Sequence, residues 1–364
     1  MLGRKPSVVN IRKKNQLSVC LTSDIEAHTL TPGFDRYAFV HQALPEIDAR
    51  DIDLGVTLFG KKLRAPFIIS SMTGGTEEAG AINRNLAAAA QERGVAMGVG
   101  SQRAGIETPA TAGTYRVRDV APDILLLANL GAVQLNHGYS VKECLKAVEM
   151  IGADALILHL NPLQEALQGG ETNFSGLLRK IERVCRELSC PVMVKEVGCG
   201  ISTTVARNLI DAGVAGIDVA GAGGTLWSEI EALCLQDETA RKVARAFAAW
   251  GIPTAESINM VASVAGKTPV IGSGGIRSGI DAAKAIALGA TAVGVATPAL
   301  RLAADSAEAV VRLLAELEEE LRLSMFCLGI SNIGQLRGTS LLVDRYNFDK
   351  HEETRSGKCR KRQE

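Results

Sequence analysis

A chain of 364 residues is too long for a minimal domain and suits one large barrel with terminal extensions, or two ordinary domains. Lysine plus arginine equal aspartate plus glutamate at 40 each, so no global field recruits nucleic acid or an anionic membrane, and any phosphate ligand must be gripped locally. The eight cysteines are scattered without Cys-x-x-Cys pairs, which excludes a thiolate zinc site and a dithiol redox centre. With no apolar run of signal-peptide or bilayer length, they read as reduced thiols of a soluble cytoplasmic protein.

Residues 1–54 are polar and weakly periodic, with a basic cluster at Arg12, Lys13 and Lys14, and read as an N-terminal extension. Residues 55–343 have a different texture. Eight short apolar runs begin at Pro66, Val95, Ile124, Ala155, Val192, Gly216, Val270 and Ala292, each ending in small or polar residues. Apolar spacings of three and four predict helices between them: Glu77–Arg93, Val141–Ile151, Gly176–Leu188, Thr203–Ala212, Ile258–Ala265 and Ile280–Leu288. Eight alternations predict a (β/α)8 barrel of the TIM type, closed by a long helix over Ser306–Cys327. A doubly wound sheet is the runner-up, but no Gly-x-Gly-x-x-Gly opens a first βα turn. From residue 344 to 364 the sequence is polar, without a core pattern, and reads as a mobile tail.

In such a barrel the chemistry sits at the C-terminal ends of the strands. The seventh run leads into Gly272-Ser-Gly274-Gly275-Ile276-Arg277 and a helix, where small residues, helix amides and a guanidinium suit a phosphate. The first ends Ser70-Ser71-Met72-Thr73-Gly74, the second Ser101-Gln102-Arg103, and the third at Asn129. The fourth carries His159, Asn161, Gln164 and Glu165, the fifth Lys195 and Glu196, and the sixth runs into Ala220-Gly-Ala-Gly-Gly-Thr225. An unpaired ammonium at Lys195 is costly inside a barrel, so its expected partner is Glu196 or an electron-rich ring. One phosphate grip beside strands seven and eight, with a lysine on strand five, suits flavin mononucleotide (FMN) lying across the mouth. Arg103, Gln164 and Glu165 are then left over, and a guanidinium beside a lone carboxylate suits a diphosphate with its magnesium.

Ser-Met-Thr-Gly-Gly (71–75), Gly-Ser-Gln-Arg (100–103), His-Leu-Asn-Pro-Leu-Gln-Glu (159–165), Lys-Glu-Val-Gly (195–198), Ala-Gly-Ala-Gly-Gly-Thr (220–225) and Ser-Gly-Gly-Ile-Arg (273–277) together resemble the type 2 isopentenyl-diphosphate isomerases. The resemblance implies interconversion of isopentenyl and dimethylallyl diphosphate with reduced FMN, NADPH and Mg2+, no net redox change, and a homo-oligomer of four or eight copies. It implies substrate contacts at Arg12, Lys13, Ser101, Gln102, Arg103, His159, Asn161 and Gln164, with Gln164 also catalytic and Glu165 on the metal. It further implies FMN contacts at Met72, Thr73, Gly74, Ser101, Asn129, Lys195, Thr225, Gly274, Gly275, Ile276, Arg277, Ala296 and Thr297. The chain departs from the family at Asn15-Gln16, where an acidic residue and a histidine are usual, at Leu226, where serine is usual, and at Ala220, which lacks the hydroxyl of some members. A 2-hydroxy-acid oxidase on the same scaffold is the alternative, but it needs a histidine base after the sixth strand and this chain has none there. A flavin-binding protein without turnover is the other, and it leaves Gln164 and Glu165 unexplained.

Overall fold

The computed structural model describes residues 8–345. Eight parallel strands close into a barrel: β1 (Phe67–Ile69), β2 (Ala96–Gly98), β3 (Leu126–Gly131), β4 (Ala155–His159), β5 (Val192–Lys195), β6 (Gly216–Asp218), β7 (Val270–Ser273) and β8 (Ala292–Val295), with β8 pairing back onto β1. Nearly every residue of these strands is buried, because helices cover the outer face while the inner face packs on itself. Hence they read as continuous apolar runs rather than as alternating ones.

The helices expected between the strands are present, and local chemistry sets their ends. The helix Glu77–Arg93 starts where Thr76 accepts the amide of Ala79 at 3.2 Å, and it stops at the left-handed Gly94. The helix Val141–Ile151 starts with a capping box from Ser140 and Glu143. The closing helix Ala307–Phe326 packs on the two helices at Glu77–Arg93 and Gly279–Ala287 and so covers the seam of the barrel.

Three features were not foreseen. Residues Val8–Thr22 form a helix, α1, which crosses the mouth and packs on the helices Trp227–Cys234 and Thr297–Ala303. Its periodicity is weak in sequence because its inner stripe mixes Leu17 and Cys20 with Arg12, Lys13 and Gln16. A hairpin, Val56–Leu58 with Lys61–Leu63, plugs the opposite end, burying Leu58 and Leu63 against Ile68, Leu125, Leu127 and Ile271. Finally, Tyr37–Phe39 pairs antiparallel with Leu342–Asp344, which ties the N-terminal extension to the end of the barrel region. The tail beyond 345 lies outside the described residues.

Candidate active site

The C-terminal ends of the strands and α1 line a cleft that is open to solvent. Of the residues singled out in sequence, Arg12, Lys13, Met72, Thr73, Gly74, Ser101, Arg103, Asn129, His159, Asn161, Gln164, Glu165, Lys195, Thr225, Gly274 and Ala296 line it. With Ser273 at the end of β7, seven of the eight strands deliver polar groups to one space, although the residues are spread over nearly 300 positions of sequence.

On the floor, Lys195 is buried and its Nζ donates to the carbonyl of Glu196 at 2.7 Å, with Asp218 at 3.9 Å. The carboxylate of Glu196 is not the partner expected for that ammonium. It turns away and accepts the amides of Val197 and Gly198 at 2.6 Å each, and that of Cys199. The counter-charge is Asp218, which also accepts from Ser273 Oγ at 2.6 Å and joins strands β6 and β7. Next to Lys195, His159 Nδ1 lies 2.7 Å from Asn129 Oδ1. An amide oxygen only accepts, so Nδ1 carries the proton and Nε2 is left as a bare acceptor. Burial, with Lys195 and Lys13 adding repulsion, pushes the imidazole pKa down to about 3, so the ring is neutral at working pH.

One side of the cleft is cationic. Lys13 Nζ donates to the Ser101 carbonyl at 2.6 Å and to Tyr115 Oη at 2.7 Å, lying 5.3 Å from the tyrosine ring centroid. Burial first, then repulsion from Arg12 and Arg103, lowers its pKa to about 7. Arg103 is held by Glu107 one turn along, at 2.8 Å. Across from these cations, Pro162–Leu167 forms a short helix that presents Gln164 and Glu165 together. Asn161 Nδ2 donates to Gln164 Oε1 and to Glu165 Oε1, both at 3.0 Å, and Glu165 Oε2 accepts the amide of Glu171 at 2.8 Å.

Several expected contacts are placed differently. Gln102 does not reach the cleft. It is fully buried in the wall, donating to the Ala147 carbonyl at 2.8 Å and to Met150 Sδ at 3.6 Å and accepting the Asn129 amide at 2.9 Å, so it positions the neighbouring strand and has no donor left for a diphosphate. Ile276 is a core residue. Arg277 pairs with Glu26 and with its own neighbour's carbonyl, so its fork faces the chain after α1. Thr297 Oγ1 sits 2.5 Å from Thr225 Oγ1, and through it touches the cleft rim. Gly274 has φ of 106°, and a Cβ there would come within 2.2 Å of the Gly221 carbonyl oxygen. Glycine is thus required at this position for two backbone loops to interlock as well as for any anion to approach. Gly272 instead packs under Ile258, away from the cleft.

Sequence reasoning missed Gln16 and Glu231. Glu231 is buried and accepts from Gln164 Nε2 at 3.1 Å and Gln16 Nε2 at 2.8 Å, and burial raises its pKa. Its sequence gave one usable signal: it lies four residues after Trp227, which lines the cleft, and so shares that helical face. Its neighbour Glu229 points outward to Arg245.

The cleft suits a flat, phosphorylated ring. Ser70 Oγ and Ser71 Oγ are buried on its wall without a hydrogen-bond partner, and the loops at 221–224 and 274–275 approach so closely that they form a backbone-lined cradle beside strands β7 and β8. A set of Lys195, Asn129, Thr225 and two unpartnered hydroxyls offers the donors a flavin ring and ribityl chain require. For a cation the chain offers Glu165 as a hard oxygen ligand, and among the described residues no group of three or more His, Cys, Asp or Glu could hold a metal by itself. That donor set fits Mg2+, which takes one or two carboxylates and leaves its other positions to phosphate oxygens and water.

The family model described as FMN-dependent dehydrogenase matches residues 17–161 and 162–343, so the chain belongs to a class of barrels that use FMN. Solved structures show the same fold at low identity: a mandelate oxidase with (S)-2-phenylpropionate (TM-score 0.63, 21% identity, 91% of this chain and 96% of that one) and a mutant flavocytochrome b2 with pyruvate bound (TM-score 0.65, 17% identity, 90% and 82%). Within that class the chain belongs to the isopentenyl-diphosphate delta-isomerase family. It is 51% identical over 332 residues to the protein of that name from Nostoc sp. (91% of this chain, 95% of the relative). It is 52% identical over 340 residues to that of Stutzerimonas stutzeri (93% and 98%), and 46% over 333 residues to that of Oceanobacillus iheyensis (91% and 95%). Among the described residues no helix is long and apolar enough to cross a membrane.

Proposed function

We propose that this protein interconverts isopentenyl diphosphate and dimethylallyl diphosphate in the cleft, in the cytoplasm, as a homo-oligomer of four or eight copies, with FMN, NADPH and Mg2+ as its cofactors. The observation that carries the reading is the pairing of Gln164 and Glu165 on one helical turn, facing Arg12, Lys13 and Arg103 across the same cleft. An oxidase of 2-hydroxy acids has no use for that pair, and the segment after β6 supplies no histidine base.

Shifting an unactivated double bond adds a proton at one carbon and removes one from another through a cation-like state. Reduced FMN, when bound, supplies an electron-rich ring able to give and take that proton and to face the developing charge. The chain's own residues do the rest. Glu165 would take the magnesium, and Arg12, Lys13 and Arg103, with Ser101 beside them, would neutralise the diphosphate. Gln164 is neutral and held at both ends, its Nε2 on Glu231 and its Oε1 on Asn161, so it orients the alkene end of the substrate and is not itself the strong acid. Lys195 would balance charge at the ring, and neutral His159 would keep a hydrogen-bonded wall without adding a proton donor. Leu17, Met72, Trp227 and Leu300 line the cleft and limit water beside the reacting carbons.

The test is turnover with photoreduced FMN and Mg2+ in the absence of NADPH. Conversion of isopentenyl to dimethylallyl diphosphate is expected at the rate seen with NADPH. Its absence, or stoichiometric peroxide from a hydroxy acid, ends the reading.

A further inference from the structure

Glu165 is carried on a helix of only six residues, and the chain that follows is poorly suited to holding it. Gly169 has φ of 63° and Gly170 follows it. A Cβ at 170 would fall 2.0 Å from Glu165 Oε2, so any larger residue there would displace the carboxylate from this position. The backbone therefore wraps the carboxylate closely, delivering the amide of Glu171 to Oε2 at 2.8 Å and that of Gly170 to the carbonyl of Glu165 at 2.8 Å. Two adjacent glycines leave such a wrap entropically weak unless something outside the loop fixes it.

The neighbouring loop, after β3, does so. His137 Nδ1 lies 2.9 Å from Glu171 Oε2, and Asn136 Nδ2 donates to the carbonyls of Asn173 at 2.7 Å and Ser175 at 3.1 Å. Neither His137 nor Glu171 lines the cleft. We propose that His137 and Glu171 form a latch between the loops after β3 and β4, and that this latch sets the orientation in which Glu165 meets the cation. His137 and Glu171 are positioning residues: they touch Glu165 only through the Glu171 amide. The inference rests on the reading of Glu165 as the magnesium ligand, but the latch itself is a property of the loop.

The test uses the FMN-loaded full chain and three variants, His137→Leu, His137→Asn and Glu165→Gln. Asparagine keeps a donor near the position of Nδ1, whereas leucine removes it. Hydrogen exchange over residues 168–173 without Mg2+ is expected to quicken in His137→Leu and to return towards the parent in His137→Asn. Unchanged exchange in His137→Leu overturns the latch. The Mg2+ concentration for half-maximal activity is expected to rise three- to tenfold in His137→Leu, about the scale of one partly buried hydrogen bond, with FMN retention unchanged. If it rises in Glu165→Gln but not in His137→Leu, the positioning role falls and the metal reading survives. If it moves in neither, the metal reading falls and takes the positioning role with it.

Discussion

The two ends of the barrel are built from the same eight strands and have opposite characters. At the lower end, Leu58 and Leu63 of the plugging hairpin meet Ile68, Ala96, Leu125, Leu127, Ile157 and Met193, and none of the unpartnered buried polar atoms falls in that cluster. At the upper end, Lys195, Asp218, Asn161 and Glu165 are all buried, and Ser70, Ser71, Asn161 and Gln168 each keep an unpartnered oxygen. Burying polar groups that the protein does not satisfy is expensive. Their concentration at one end shows that this end is built for ligands and that the other end supplies the stability they cost. The strands thus divide along their length, as the fold class allows.

Substitutions at the two ends are expected to separate activity from stability. The largest effect is expected from Glu165→Gln, which leaves the loop packing but removes the carboxylate charge proposed to hold Mg2+: kcat/KM should fall about 10²- to 10³-fold with the unfolding midpoint nearly unmoved. Steady-state kinetics beside denaturant titration checks this, and loss of stability in step with activity would break the contrast. At the plug, Leu58→Ala should cost about 3 kcal/mol of stability while kcat per folded molecule stays the same. A fall in kcat there would show that the lower end reaches the chemistry.

Lys13→Met should raise KM about 10- to 100-fold, the range for a hydrogen bond to a charged group. The same variant sharpens the electrostatic account. With its pKa near 7, Lys13 is largely neutral at pH 8 until an anion binds and raises it, so diphosphate binding should take up a proton in the parent and not in Lys13→Met. Calorimetry in buffers of different ionisation enthalpy reads that proton. The smallest effect concerns His159, whose pKa falls from the ordinary 6.5 to about 3 on folding. Between those values the unfolded chain binds the extra proton, so this group's stabilisation is complete above pH 6.5 and is lost as pH falls towards 3. His159→Gln should flatten the acid limb of the stability profile, by less than about 1.4 kcal/mol per pH unit.

Much of the scaffold was legible in the sequence because its signals are local. Runs such as Leu126–Ala128 and Val192–Val194 need no partner to be read as buried strands, and Glu77–Arg93 carries its own cap, period and terminal glycine. The site was legible at the ends of those strands, where a polar residue interrupts an apolar run, as at Lys195 and Asn129. Residues that act from helices were harder to read. Gln16 and Gln164 meet on Glu231 only because α1 folds back over the mouth beside the helix Trp227–Cys234, and only the four-residue spacing from Trp227 separates Glu231 from the outward-facing Glu229. Gln102 and Arg277 show the reverse error. Both have the side chain and the position expected of a ligand contact, but one is used up inside the wall and the other is paired with Glu26, a partner 251 residues away in sequence.

The amino-acid order alone determined that strands and helices alternate eight times, which strand ends carry polar groups, and that a glycine-rich turn follows the seventh strand, because hydrophobic period, capping and glycine placement act over a few residues. Only the tertiary structure decided which of those polar groups remain free for a ligand. A side chain's hydrogen-bonding capacity is spent on whatever lies nearest in space, and for Lys195, Gln102, Arg277 and Glu165 that neighbour was fixed by loop packing or barrel closure, not by the residue types alone.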